Sequence, residues 1–250
     1  MDGPTPLITT TWRLPDAPLR ASAVATKLVA LLAVAALAAA ARIALPVSAL
    51  YAPKASVAFA TLMVLSLGFL QQHHPFARFG PANQVTTVRA IFVALIVGLV
   101  GEPPVPVLAA SAVAGSIAAT ALDGLDGWLA RRHAIASDFG ARFDMEVDAL
   151  LILTLSLLAW RFGKAGAWVI ASGAMRYGFV LAGARWPWLG APLRPSRRRQ
   201  AVCVVQVAAL TIALAPIVPP SASAPLAAAA LAALTWSFLI DTLWLWRRAV

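Results

Sequence analysis

The sequence is poor in almost everything a soluble domain displays. It has one cysteine, Cys203, two tyrosines, three histidines and ten acidic residues in 250. A single thiol excludes a disulfide framework within the chain and any Cys-rich metal site; Cys203 is expected as a small apolar side chain in a helix. Charged residues make up only 12% of the chain, against 61% hydrophobic residues and a mean hydropathy of +0.81. Apolar runs of about 20 residues exclude a soluble core and indicate a polytopic membrane protein. The net charge of +10 is not that of a nucleic-acid binder, because no soluble basic domain carries it. The arginines gather at the ends of the apolar runs, where they face anionic membrane lipid.

What is present is a series of long apolar segments. Residues 1–21 hold Pro4, Pro6, Pro15 and Pro18 and read as an irregular tail. That lead-in is long and weakly basic for a cleaved signal peptide, so the next segment is expected as a retained span. Apolar runs fall at about 22–43, 54–71, 83–101, 105–131, 139–161, 165–183, 200–217 and 225–246, giving an all-α bundle of eight membrane helices. With both termini inside, the inner segments collect Arg13, Arg20, Arg78, Arg131, Arg132, Arg185, the Arg194–Arg199 cluster, Arg247 and Arg248. The outer ends keep Arg42, Lys54, Arg161 and Lys164. This bias places both termini on the cytoplasmic side. Trp160 outside, and Trp186, Trp188, Trp244 and Trp246 inside, fit interfacial anchoring.

The acids are concentrated. Asp123, Asp126, Asp138, Asp144, Glu146 and Asp148 lie in one stretch, six of the ten in the chain. Asp123 and Asp126 are three apart, and Asp144 and Asp148 four apart, so each pair shares a helix face. Gly127 and Ala130 continue the first face, and Gly140 precedes Asp144 by one turn. Small residues there let backbone or ligand approach closely. Carboxylates inside an apolar bundle are costly without a cation. Ligation by carboxylate alone, without His or Cys, favours a hard ion such as Mg²⁺ or Mn²⁺. Two cations and a phosphate-bearing substrate would balance the charge.

A polar stripe enters the third segment, with Asn83, Thr86 and Arg89 at three-residue intervals. Asn83 as an N-cap and Arg89 as a snorkelling cation is the bland account. The stripe is read as functional because the topology places it at the level of the Asp cluster.

The pattern DxxDGxxARx8GxxxDxxxD, filled by Asp123, Asp126, Gly127, Ala130, Arg131, Gly140, Asp144 and Asp148, resembles the signature of the CDP-alcohol phosphotransferases. Members of that family also tend to open their first core helix with NxxTxxR beside the nucleotide. The resemblance implies a six-helix core, residues 76–250, preceded by a tail and two additional transmembrane helices in residues 1–75. It implies transfer of a phosphatidyl group from CDP-diacylglycerol to a polar alcohol, with release of CMP. Carried over, Asp123, Asp126 and Asp144 hold two Mg²⁺ or Mn²⁺ ions, and Asp148 is the general base while sharing a metal. Asn83, Thr86, Asp123, Gly127, Ala130, Arg131 and Gly140 form the CDP site. The resemblance further implies a homodimer, and the composition a bacterial inner membrane, with the site on its cytoplasmic side.

The remaining polar residues are read as follows. Arg176, alone in its span, is expected to meet either a core carboxylate or a substrate phosphate. Arg176, Arg197 and Arg198 therefore point weakly to a phosphorylated acceptor. Glu146, two residues from both Asp144 and Asp148, faces away from them and is expected to partner an arginine. Ser137 or Asp138 is expected to cap the following helix. His73, His74 and His133 are expected in solvated loops, and Asp241 has no evident partner. Two other readings of the Asp cluster are a cation transporter, which would carry acids or broken helices in several spans, and a Mg²⁺-dependent membrane prenyltransferase, which would separate its acidic motifs more widely.

Overall fold

A computed structural model describes residues 16–132, 137–194 and 196–249, without the side chains of residues 69, 71–73 and 125–132. Eight long helices follow one another: α1 (Ala17–Ala44), α2 (Tyr51–His73), α3 (Pro81–Gly98), α4 (Pro106–Arg132), α5 (Asp138–Arg161), α6 (Ala171–Arg185), α7 (Arg197–Leu214) and α8 (Pro220–Ala249). Short 3₁₀ turns at Ala167–Ile170 and Pro187–Gly190 flank α6. No strand occurs among the described residues.

Proline sets many of the starts. Pro18 lies in the first turn of α1, and α3, α4 and α8 begin on Pro81, Pro106 and Pro220. At that position the missing N–H has no helical partner in any case and the fixed φ suits the helix. Gly101 and Gly163, with φ of 86° and 68°, make the turns after α3 and α5.

The protein is an integral membrane protein. Among the described residues, six helical segments are long and apolar enough to cross a membrane: α1, Tyr51–Gly68, α3, Pro106–Gly124, Ala167–Arg185 and α8. Of the eight expected spans, α5 and α7 do not reach that level. Helix α5 opens on the acidic stretch and α7 on Arg197-Arg198-Arg199-Gln200. Both are interior elements: α5 packs against α2, α3, α6 and α7, and α7 against α4, α5 and α8. Where α6 crosses α5, a Cβ on Gly173 would lie 2.2 Å from Leu153 Cα. Only glycine permits that approach.

Helices α1 and α2 pack on each other and on α3, and α2 also reaches α5. Polar contacts tie this pair to the rest of the bundle at both ends. At one end, the Phe79 amide donates to Ser22 Oγ at 3.2 Å. At the other, buried Glu102 accepts from the Ser48 amide (2.7 Å), the Ser48 hydroxyl (2.8 Å) and Lys54 Nζ (2.6 Å). Those contacts hold the Glu102 carboxyl below the usual glutamate range, although burial alone pushes it up. On the same side, Lys164 Nζ donates to the carbonyls of Ala215 and Val218. The far ends of the helices are thus fixed to one another, and the opposite end carries the acids.

Candidate metal centre

Three neighbouring helices meet at that opposite end. Helix α4 brings Asp123, α5 brings Asp144 and Asp148 one turn apart, and α3 brings Arg89. One carboxylate oxygen from each of the three aspartates lies within 4.8 Å of the others. Among them sits the Arg89 guanidinium, which is only 1% exposed. Its Nη1 is 2.9 Å from Asp123 Oδ1 and also pairs with Asp144 Oδ1, while Nη2 donates to Asp148 Oδ1 at 2.6 Å.

Among the described residues, three carboxylates share one guanidinium, and carboxylates gathered in an apolar bundle favour the presence of cations. All the donors are hard oxygens and the aspartates remain partly exposed, so the set fits one or more divalent cations. Only the backbone of Asp126, Gly127, Ala130 and Arg131 is described, so their surroundings lie outside the described residues, as do His133 and the turn around it up to residue 136.

The local fold explains the placement. Ser137 caps α5, its hydroxyl accepting the Gly140 amide at 3.1 Å, and Asp138 is the first helical residue. A Cβ on Gly140 would lie 3.0 Å from Asn83 Oδ1 and 3.3 Å from Ser137 Oγ. Gly140 therefore lets the starts of α3 and α5 come close. Asn83 is not the N-cap of α3, which is Gly80; its Nδ2 instead donates to Phe79 O at 2.6 Å. Thr86 is buried and its hydroxyl donates to Ala82 O.

Several sequence expectations change. Arg89 does not snorkel: it turns into the acid cluster, a contact the stripe hinted at without assigning it a role. Arg176 donates to Glu146 Oε1 at 2.5 Å, as expected of Glu146, and therefore already has a carboxylate. Arg198 pairs with Asp241, and Arg199 Nη1 lies 3.6 Å from the same carboxylate. That supplies the partner of Asp241 that local spacing did not reveal. Arg197 is exposed at the start of α7. His74 is not solvated: it is buried, with Nε2 donating to Arg78 O at 2.8 Å and Nδ1 3.3 Å from Ser137 Oγ. Cys203 is not merely apolar filling, since its Sγ lies 3.7 Å from Asp148 Oδ2. Nothing in the sequence around Cys203 signals that contact.

A membrane helical bundle with a carboxylate cluster suited to divalent cations is thus the class that fold and site define. The model of the CDP-alcohol phosphatidyltransferase family matches residues 79–241, well over half of the sequence, and the chain belongs to that family. Its members are transferases that use divalent metals, a CDP-alcohol and an alcohol acceptor. Neither a curated protein nor a solved structure matches the chain.

Proposed function

We propose that this protein transfers a phosphatidyl group from CDP-diacylglycerol to the hydroxyl of a polar alcohol, releasing CMP, at the cytoplasmic face of a bacterial inner membrane. The observation that carries this reading is the convergence of Asp123, Asp144 and Asp148 within a chain belonging to this family. The six-helix unit from residue 76 is the catalytic part, and residues 1–75 are an addition to it.

Asp123, Asp126 and Asp144 would hold the cations, with Asp148 beside them. When bound, two Mg²⁺ or Mn²⁺ ions neutralise the pyrophosphate and stabilise the departing CMP. Asn83, Thr86, Asp123, Gly127, Ala130, Arg131 and Gly140 would border the CDP moiety. Asp148 accepts the proton of the acceptor hydroxyl as the new P–O bond forms and the bond to CMP breaks. Arg89 keeps the three carboxylates at their mutual spacing. Arg176 and Arg198 have carboxylate partners within the protein, so the support for a phosphorylated acceptor narrows to Arg197, exposed at the start of α7.

Membranes containing the protein, incubated with CDP-diacylglycerol, Mg²⁺ or Mn²⁺ and a panel of polar alcohols, test this through CMP release. Release that depends on metal, on one acceptor and on an intact Asp148 supports the reading. No release with any acceptor, from folded and metal-loaded protein, would turn attention to another CDP-linked donor or to cation transport.

A further inference from the structure

Where α7 begins and α8 ends, a second group of charges gathers around one indole. Asp241 of α8 accepts from Arg198 of α7 at 2.5 Å, and Arg199 Nη1 lies 3.6 Å from the same carboxylate. Arg199 also donates to Arg194 O, which ties the segment leading into α7 to the helix itself. Trp244 follows Asp241 by three residues and so shares its side of α8. Two guanidiniums flank the Trp244 ring, that of Arg194 at 5.0 Å and that of Arg248 at 4.5 Å from the centroid.

This group is separate from the metal centre. Arg198 precedes Cys203 by five residues, a rotation of about 140° around a 3.6-residue helix. Cys203 marks the side of α7 that meets Asp148. Arg198 therefore looks away from the acid cluster and toward α8, against which α7 packs.

Arginine is not deprotonated in proteins, so Arg194, Arg198, Arg199 and Arg248 are all cations. Asp241 already serves Arg198 and Arg199. Among the described residues no carboxylate pairs with Arg194 or Arg248; each rests on Trp244 instead. A cation–π contact at an exposed site is weak and leaves the charge uncancelled. Both side chains are exposed, and an anion at the edge of the ring they share is within reach of both forks of N–H donors. The surroundings select a lipid as the source of that anion. Helix α8 is long and apolar enough to span a membrane, and most of it faces outward. Leu243 and Trp246, on either side of Trp244, are 41% and 53% exposed. Indoles at the end of a lipid-facing helix sit at headgroup level. A glycerolipid phosphate meets the arginines there while its acyl chains stay beside apolar surface, a gain that a soluble phosphate lacks.

We infer that Arg194 and Arg248, gathered about Trp244 at the junction of α7 and α8, bind the phosphate of one anionic phospholipid. This lipid is separate from the one that reacts, and it joins the end of α8 to the segment that leads into α7. The inference does not rest on the proposed transfer reaction.

The test is native mass spectrometry of the full chain in detergent, with chelator present so that no metal bridges lipid to the acid cluster. The protein is incubated with equal amounts of dioleoyl-phosphatidylglycerol and dioleoyl-phosphatidylcholine. The expected result is one phosphatidylglycerol retained under collisional activation that removes phosphatidylcholine. Arg194→Gln and Arg248→Gln are each expected to lower that retention about fivefold, and the double variant about 25-fold, the effect of one and two cations beside an anionic headgroup. Both positions are exposed, so each single variant decides the matter if the double variant does not fold. Arg78→Gln, which removes an exposed arginine between α2 and α3, is expected to leave retention unchanged, as is an excess of glycerol 3-phosphate. Equal retention of the two lipids, or wild-type retention in the folded Arg194 and Arg248 variants, would overturn the inference. An equal loss in Arg78→Gln would overturn it in favour of general surface charge, and displacement by glycerol 3-phosphate in favour of a soluble phosphate ligand.

Discussion

Arg89 Nη2 on α3 donates to Asp148 Oδ1 on α5 at 2.6 Å. Through this contact the polar stripe of the third helix meets the last residue of the acidic motif. The same guanidinium also serves Asp123 and Asp144, so its removal should be felt before any substrate is present. Arg89→Gln leaves three carboxylates facing one another. Breaking a buried ion pair from one side costs about 3–5 kcal/mol, and the variant should melt well below the wild type in chelator. Added Mg²⁺ or Mn²⁺ should recover more stability in the variant than in the wild type, read as the metal-dependent change in melting temperature. Equal responses in the two proteins would mean that Arg89 does not balance the charge of the cluster.

Asp148→Asn removes the proposed proton acceptor but keeps the shape of the side chain. CMP release should fall by about 10²–10⁴-fold, the usual worth of a positioned base. Binding of Mn²⁺ by Asp148→Asn, followed by electron paramagnetic resonance, should weaken less than in Asp144→Asn. A variant with near-wild-type turnover would remove Asp148 from the chemistry.

Glu102 provides a pH test remote from the acid cluster. Its carboxyl lies below the normal range in the folded protein because Lys54 and Ser48 donate to it, outweighing burial. A depressed folded value means that the stabilisation is present in full above the unfolded glutamate value of about 4.3. It is lost as the pH falls through the lower folded value. Thermal melts between neutral pH and pH 3 should show a loss at the acid end that is smaller in Glu102→Gln. Parallel curves for the two proteins would show that this staple contributes nothing to the pH dependence.

Gly173 and Gly178 form a matched pair on α6. A Cβ on Gly173 would strike Leu153 Cα at 2.2 Å, whereas one on Gly178 meets nothing within 4 Å. Gly173→Ala should destabilise by about 1–3 kcal/mol, the usual range for overpacking. Gly178→Ala should be neutral or slightly stabilising, since alanine is the better helix former. Denaturation in detergent distinguishes them, and equal effects would contradict the close crossing of α5 and α6.

The eight helices were legible because each is an apolar run ended by proline, glycine or charge. That Asp144 and Asp148 are neighbours was legible because a spacing of four residues puts both on one helix face; the side chain of Asp126 lies outside the described residues. What stayed hidden was which distant residues meet. Arg176 meets Glu146 30 residues earlier, and Arg198 meets Asp241 43 residues later. Local spacing carries no information on either, so Arg176 could be assigned to a carboxylate or to a substrate phosphate and Arg198 to a substrate phosphate. His74 looked like a loop residue because the Ser137 hydroxyl that faces it lies 63 residues away. The difference between eight expected spans and six sufficiently apolar segments has a physical origin too. Helices α5 and α7 carry their charges at the acid-bearing end and bury much of the rest against other helices, so they need less apolar surface than a lipid-facing span.

The acid cluster has no single helix as its owner. Asp123, Asp144, Asp148 and Arg89 are contributed by α4, α5 and α3, so the separation of the oxygens is set by how those three rods lean on one another. Rods in a bilayer lean according to its thickness, because a hydrophobic length that does not match the hydrocarbon is accommodated by tilt. A change in the length of the surrounding acyl chains is therefore expected to alter the tilt of the three helices and, through it, the separation of the carboxylate oxygens.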